Sequence, residues 1–124
     1  MKFTLKQEQE IFEVITTGEA ELQVFSDFLD ALISHPHWKP GSFILVDHSD
    51  LNASTLTSAD VKTISRYCAD RRLPFGNGKC AIVLARDLEF GLARMWHVFM
   101  DENPWDMNHQ LFRSRVEALE WLQS

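Results

Sequence analysis

Two apolar runs constrain this chain more than any other feature. Phe43-Ile44-Leu45-Val46 ends at Asp47, and Cys80-Ala81-Ile82-Val83-Leu84 ends just before Arg86-Asp87. Neither run alternates, and each turns abruptly polar. A strand with one wet side alternates between apolar and polar residues, whereas a strand covered on both sides does not. Both runs are therefore expected as central strands of a sheet that carries helices on both faces.

The residues around them supply the remaining elements. Phe3 to Gln7 and Ile11 to Thr16 flank Glu8-Gln9-Glu10, a pattern that predicts an antiparallel hairpin at one side of the sheet. Thr16 and Glu19 stand at capping-box spacing ahead of Leu22, Phe25, Phe28, Leu29 and Leu32, which recur at helical intervals until Pro36. Thr57 and Asp60 repeat that spacing before a second helix, which carries Val61, Ile64 and Cys68 inward and stops near Leu73-Pro74. Gly76-Asn77-Gly78 then turns the chain into the second buried run. Asp87 is expected to cap a third helix running to about Met100. Asn108 to Phe112 reads as a last strand, and Ser114 with Glu117 as the box opening a last helix. The order β-β-α-β-α-β-α-β-α defines an α/β fold with a mostly parallel five-stranded sheet, an antiparallel first strand and helices on both faces.

Length and composition set the frame. With 124 residues, 45% of them hydrophobic and 24% charged, residues 1–124 suit one domain with a single core. A net charge of −6 opposes general attraction to nucleic acid or anionic lipid, and no stretch reaches membrane-spanning length. Arg71-Arg72 with Lys79 forms a short basic patch that reads as a solvated helix end. Cys68 and Cys80 fall on apolar stripes as small core residues. With no close thiol pair and no leading secretory segment, the expected compartment is the cytoplasm.

Two segments, Ala85-Arg86-Asp87-Leu88-Glu89-Phe90-Gly91-Leu92-Ala93-Arg94-Met95 and Phe112-Arg113-Ser114-Arg115-Val116-Glu117-Ala118-Leu119-Glu120-Trp121-Leu122, together with the element order, resemble the SpoIIAA-like family of STAS-type domains. The resemblance spans nearly the whole chain. It implies a small non-enzymatic regulator that binds a protein partner, in some members switched by phosphorylation at an Asp-Ser-Ser-Gly motif after a central strand. The matching segment, Asp47 to Ser58, has no such motif, and Ser54 and Thr55 are its nearest equivalents. The wider family is also similar in fold to lipid-carrying Sec14-type domains, which adds carriage of a small amphiphile as a second expectation.

Two groups of residues stand out as candidate sites. Ligands of open α/β sheets collect beyond the carboxyl ends of the strands. That rule gathers a polar rim of Asp47, His48, Ser49, Asp50, Arg86 and Asp87, with Arg86 expected to pair with Asp47 or Asp87 and His48 expected in a solvated loop. Ser49, His48 and Asp87 compose a hydrolytic triad only on paper, because no Gly-x-Ser-x-Gly turn holds the serine. The histidines at 35, 37, 48, 97 and 109 lack ligand spacing, so no metal and no cofactor is expected. The second group is apolar: Phe90, Met95, Trp96, Phe99 and Met100, followed by Asn103-Pro104-Trp105, give the third helix more large side chains than one face needs. Trp38 is a further member. These residues are expected to form a partner surface, including that of a homodimer, or a pocket, or else an ordinary core in which both faces of the helix are covered.

Overall fold

The computed structural model describes residues 1–103 and 105–124. Its strands are β1 (Lys2–Glu8), β2 (Ile11–Glu19), β3 (Phe43–Asn52), β4 (Lys79–Val83) and β5 (Asn108–Phe112). The helices are α1 (Leu22–Ile33), α2 (Ser58–Asp70), the short α3 (Arg72–Phe75), α4 (Asp87–Glu102) and α5 (Arg115–Leu122). The strands lie in sequence order, β1-β2-β3-β4-β5. β1 pairs antiparallel with β2 and every later pair is parallel, as the sequence predicts.

Sequential order has a strong consequence. Each parallel crossover steps one strand onward, and a right-handed step always places its helix on the same side. α1, α2 and α4 accordingly share one face with Phe12, Val14, Ile44, Val46, Cys80 and Ile82 of the sheet. The opposite face holds α5 alone, which packs Ala118 and Leu122 on Leu45, Ala81 and Val83. β3 and β4 are thus covered twice, which is why residues 43–46 and 80–83 carry no polar side. β1 is covered once and alternates: Phe3 and Leu5 meet the helical layer, while Lys2, Thr4 and Lys6 are exposed.

The cluster under α5 reaches β2 only at Ile11, and a charge cluster occupies the boundary. Glu13 is 3% exposed and pairs with Arg115 and, at 3.7 Å, with Lys6. Arg115 also reaches Asp47 at 3.3 Å, so one guanidinium ties the start of α5 to two strands. The basic patch is similarly engaged. Arg71 donates to Asp30 and to the Tyr67 carbonyl near the end of α2, while Arg72 pairs with Asp106.

Several helix starts differ from expectation in instructive ways. Thr57 and Asp60 form the full capping box, and Ser114 accepts from the Glu117 N–H. Thr16 caps nothing, because β2 continues through it and α1 begins only after Glu21. Asp87 is the first helical residue of α4 rather than its cap, a position held by Arg86, and its carboxylate pairs with Arg113 at 2.7 Å.

The turn at residues 76–78 is set by a close crossing of two loops. Gly76 has φ +74°, and a Cβ on Gly78 would strike the carbonyl oxygens of Gly41 and Ser42. Gly91 is the opposite case, a helical glycine with open space around it. Urea unfolding should show Gly78→Ala destabilised by about 1–3 kcal/mol. Gly91→Ala should instead stabilise α4 by up to about 1 kcal/mol.

Candidate functional site

β3 does not end at Asp47. It continues to Asn52, and its pairing with β2 slips between Ile15–Asp47 and Thr17–Asp50, so that Thr16 alone stands opposite His48 and Ser49. This is a β-bulge, which leaves one amide without a ladder partner and re-aims the side chains beyond it. The Asp47 carboxylate takes that amide, accepting from the Ser49 N–H at 2.9 Å. Ile44, Val46 and His48 point to the helical face, and after the extra residue so do Leu51 and Ala53.

The bulge divides the expected polar rim. Asp47 lies on the α5 side with Arg115, His48 turns into the core at 8% exposure, and Asp50 and Asp87 face solvent. Ser49 is partly covered beside them. Arg86 pairs with neither Asp47 nor Asp87; its Nε and Nη2 donate to Glu89 at 2.8 and 2.7 Å. No reversal of strand order exists in this sheet, so the crevice that such a reversal opens is missing as well. The paper triad dissolves with the rim, since Asp87 is held by Arg113 and His48 is inward. Ser54 and Thr55 occupy an exposed turn ahead of α2, where the Ser54 N–H donates to Asn52 Oδ1.

His48 is the central polar group of the interior. Its Nδ1 lies 2.6 Å from Thr16 Oγ1, and that hydroxyl is also 3.3 Å from the Asp47 carbonyl. One arrangement of protons satisfies both contacts: Nδ1–H donates to Oγ1, and Oγ1–H donates to the carbonyl. Nε2 is then a bare acceptor. Burial lowers the His48 pKa to about 4, against a small opposing pull from Asp47, so the ring is neutral at pH 7. The rings of Phe25 and Phe28 flank it at 5.7 and 6.2 Å between centroids.

Glu89 is the residue that reading the sequence misses. It is buried at 3% exposure, accepts from the Ala53 N–H at 2.8 Å and receives both Arg86 bonds. Burial pushes its carboxyl up, but the guanidinium and the amide outweigh that and hold it below the usual carboxylate range. The spacing of Arg86 and Glu89, three apart at a helix start, is the one sequence signal that marks it.

His48 and Glu89 border a cavity of about 100 Å³ between the helical layer and the sheet. Its wall is otherwise apolar, built from Phe28 and Leu32 of α1, Val61 and Cys68 of α2, Leu92, Ala93 and Trp96 of α4, and the inner side of β3 and β4. Of the apolar residues singled out from the sequence, Trp96 and Trp105 come together on this wall, 5.8 Å apart edge to face. Met100 is buried in the same core; Phe90, Met95 and Phe99 are only partly covered, and Pro104 lies outside the described residues. Trp38 packs between Phe12 and Phe75 and donates to the Pro74 carbonyl. Both cysteines are buried free thiols, Cys68 pushed up to about 12 by burial. Among the described residues there is no group of three or more potential metal ligands, and no helix is long and apolar enough to cross a membrane.

Comparison with solved structures places this architecture. The chain is similar to an uncharacterised DUF3478-family protein of Shewanella loihica PV-4 with a SpoIIAA-like fold, at a TM-score of 0.58 and 16% identity over 98% of this chain and 92% of that one. The fold is therefore SpoIIAA-like, as the sequence resemblance implied. No family model and no curated protein matches the sequence.

A neutral buried imidazole links folding to protons. His48 carries a depressed pKa of about 4 in the folded state, while the unfolded chain takes up its proton near pH 6.5. Its contribution is fully present above pH 6.5 and is lost as pH falls towards 4. Denaturation free energy should drop by up to about 1.4 kcal/mol per pH unit in that window for this one group. His48→Gln should flatten the decline, while His109, whose pKa burial also lowers to about 4, keeps its own share.

Proposed function

We propose that this protein is a non-catalytic binding module whose ligand is a small apolar or amphiphilic molecule held between the helical layer and the sheet. The observation that carries this reading is the cavity itself, apolar on almost every side and bordered by a neutral histidine with one ring nitrogen unused. Pockets that hold small organic molecules have this composition, with a few fixed polar groups in an apolar wall. Predominantly apolar cavities accept small hydrocarbons. The amphiphile expectation first raised by the likeness to Sec14-type domains thus rests on the interior of this chain.

Self-association or partner binding through α4 is left with less surface than its composition implies. Trp96 and Met100 are enclosed in the monomer, and the large exposed apolar residues of that helix are Leu88 and Val98, at 50% and 58%. The side chains that make α4 unusually apolar support an interior more than an interface.

The reading is checked by native mass spectrometry of freshly purified protein and by melting in the presence of toluene. Retained small-molecule mass, or stabilisation approaching about 2.7 kcal/mol at a hundredfold excess over Kd, is the expected result. Ala93→Phe, which fills the cavity from α4, should abolish the stabilisation. A melting curve that toluene leaves unmoved at saturation, with no retained mass, excludes this function.

A further inference from the structure

The interior leaves one polar atom beside open space without a partner. His48 is 8% exposed, and its Nδ1 is held by Thr16 Oγ1 of the neighbouring strand. Its Nε2 lies at the far end of the ring, away from the sheet, and has no hydrogen-bond partner among the described residues. Other nitrogens of this layer are unpartnered too, namely Nε1 of Trp96 and Trp105 and Nδ1 of His97 and His109, but those are sealed by the atoms packed on them. Nε2 is not among the sealed atoms, and His48 borders the cavity. The arrangement of protons that satisfies Thr16 leaves this nitrogen an acceptor with a free lone pair. An unpaired acceptor in an interior costs stability and is rarely tolerated without a reason.

We propose, resting on the binding function argued above, that the ligand is an apolar molecule carrying one uncharged hydroxyl, an alcohol or a phenol, and that His48 Nε2 accepts the hydrogen bond of that hydroxyl. Other donor groups suit the wall less well. An ammonium would need a carboxylate, and Glu89, the carboxylate on this wall, is already bonded by Arg86 and by the Ala53 N–H. A carboxylic acid is ionised at pH 7, and its anion would meet a lone pair instead of a donor. An amide brings a carbonyl along with its N–H, whereas the side-chain donors beside the space are two weak thiols and two sealed indoles. A hydroxyl satisfies its single donor on Nε2 and asks the least of the remaining wall. The ring is neutral at pH 7, so the lone pair is available there.

Three probes of closely similar size separate the possibilities: toluene, phenol and anisole, in which methyl replaces the hydroxyl hydrogen of phenol. Affinities are read by titration against melting temperature, and the His48 ring nitrogens by long-range proton–nitrogen spectra of the wild type. The free protein should show Nδ1 protonated and Nε2 bare. Phenol should move the Nε2 signal upfield, while toluene and anisole leave it in place. In His48→Phe, the affinity for phenol relative to toluene should fall about tenfold. A protonated Nε2 at pH 7, or an Nε2 signal that bound phenol leaves unmoved, overturns the hydroxyl assignment, although binding of phenol and toluene would still support the cavity reading. So does an unchanged ratio of phenol to toluene affinity in His48→Phe. Failure of all three probes to bind overturns the binding function itself and this assignment with it. The wild-type spectra decide the matter even where His48→Phe does not fold.

Discussion

The whole arrangement depends on one geometric constraint: a right-handed crossover that always advances by one strand keeps every crossover helix on the same side of the sheet. Three helices therefore crowd one face and the last helix has the other almost to itself. The crowded face must fill the space between a twisted sheet and three cylinders, and it does so with aromatic rings. Phe12, Trp38, Phe75, Trp105 and Trp96 make a chain of edge-to-face contacts, each about 5–6 Å between centroids. Rigid rings of that size interlock at their edges and leave gaps behind them, where small residues such as Ala53, Ala93, Cys68 and Cys80 stand. The cavity is the result.

The sparse face obeys different physics. An eight-residue helix can cover β3 to β5 and reaches only the first residue of β2, Ile11. Where its coverage ends, Glu13 is nonetheless nearly inaccessible, and a carboxylate in that position is tolerable only when paired. Arg115 provides the pairing from the first turn of α5 and bridges to Asp47, whose other oxygen holds the bulge amide. The bulge that turns His48 into the interior is therefore connected, through one carboxylate, to the helix on the far side of the sheet. Events at either face meet at Asp47.

The fold was readable because its strongest signals are local. Apolar runs without alternation locate β3 and β4, Thr57 with Asp60 and Ser114 with Glu117 locate two helix starts, and Asn108 to Phe112 is the last strand to the residue. The site was less readable, and Asp47-His48-Ser49-Asp50 shows why. Four polar residues in a row look like a loop, but a bulge lets a strand carry them by giving each a different environment: a paired carboxylate, a buried ring, a partly covered hydroxyl and a solvated tip. Thr16 misled for a related reason. Its spacing to Glu19 is that of a cap, yet its hydroxyl was needed by a histidine 32 positions away, which no local pattern records. Glu89 vanished into an ordinary helix start, and unpartnered indole nitrogens have no sequence signature at all.

A void has a thermodynamic meaning beyond shape. At about 24 cal/mol per Å³, a cavity of about 100 Å³ costs about 2.4 kcal/mol. Domains hold about 0.05–0.15 kcal/mol per residue, so a chain of 124 residues has about 6–19 kcal/mol in all. The void, with two unsatisfied donors beside it, thus removes a substantial part of the stability that this sequence could otherwise reach. Replacing Ala93 by a larger apolar residue would fill the space. A sequence that keeps small residues behind large rings retains that space at a cost in stability. A molecule that fills such a space restores the close contacts that its lining atoms otherwise forgo.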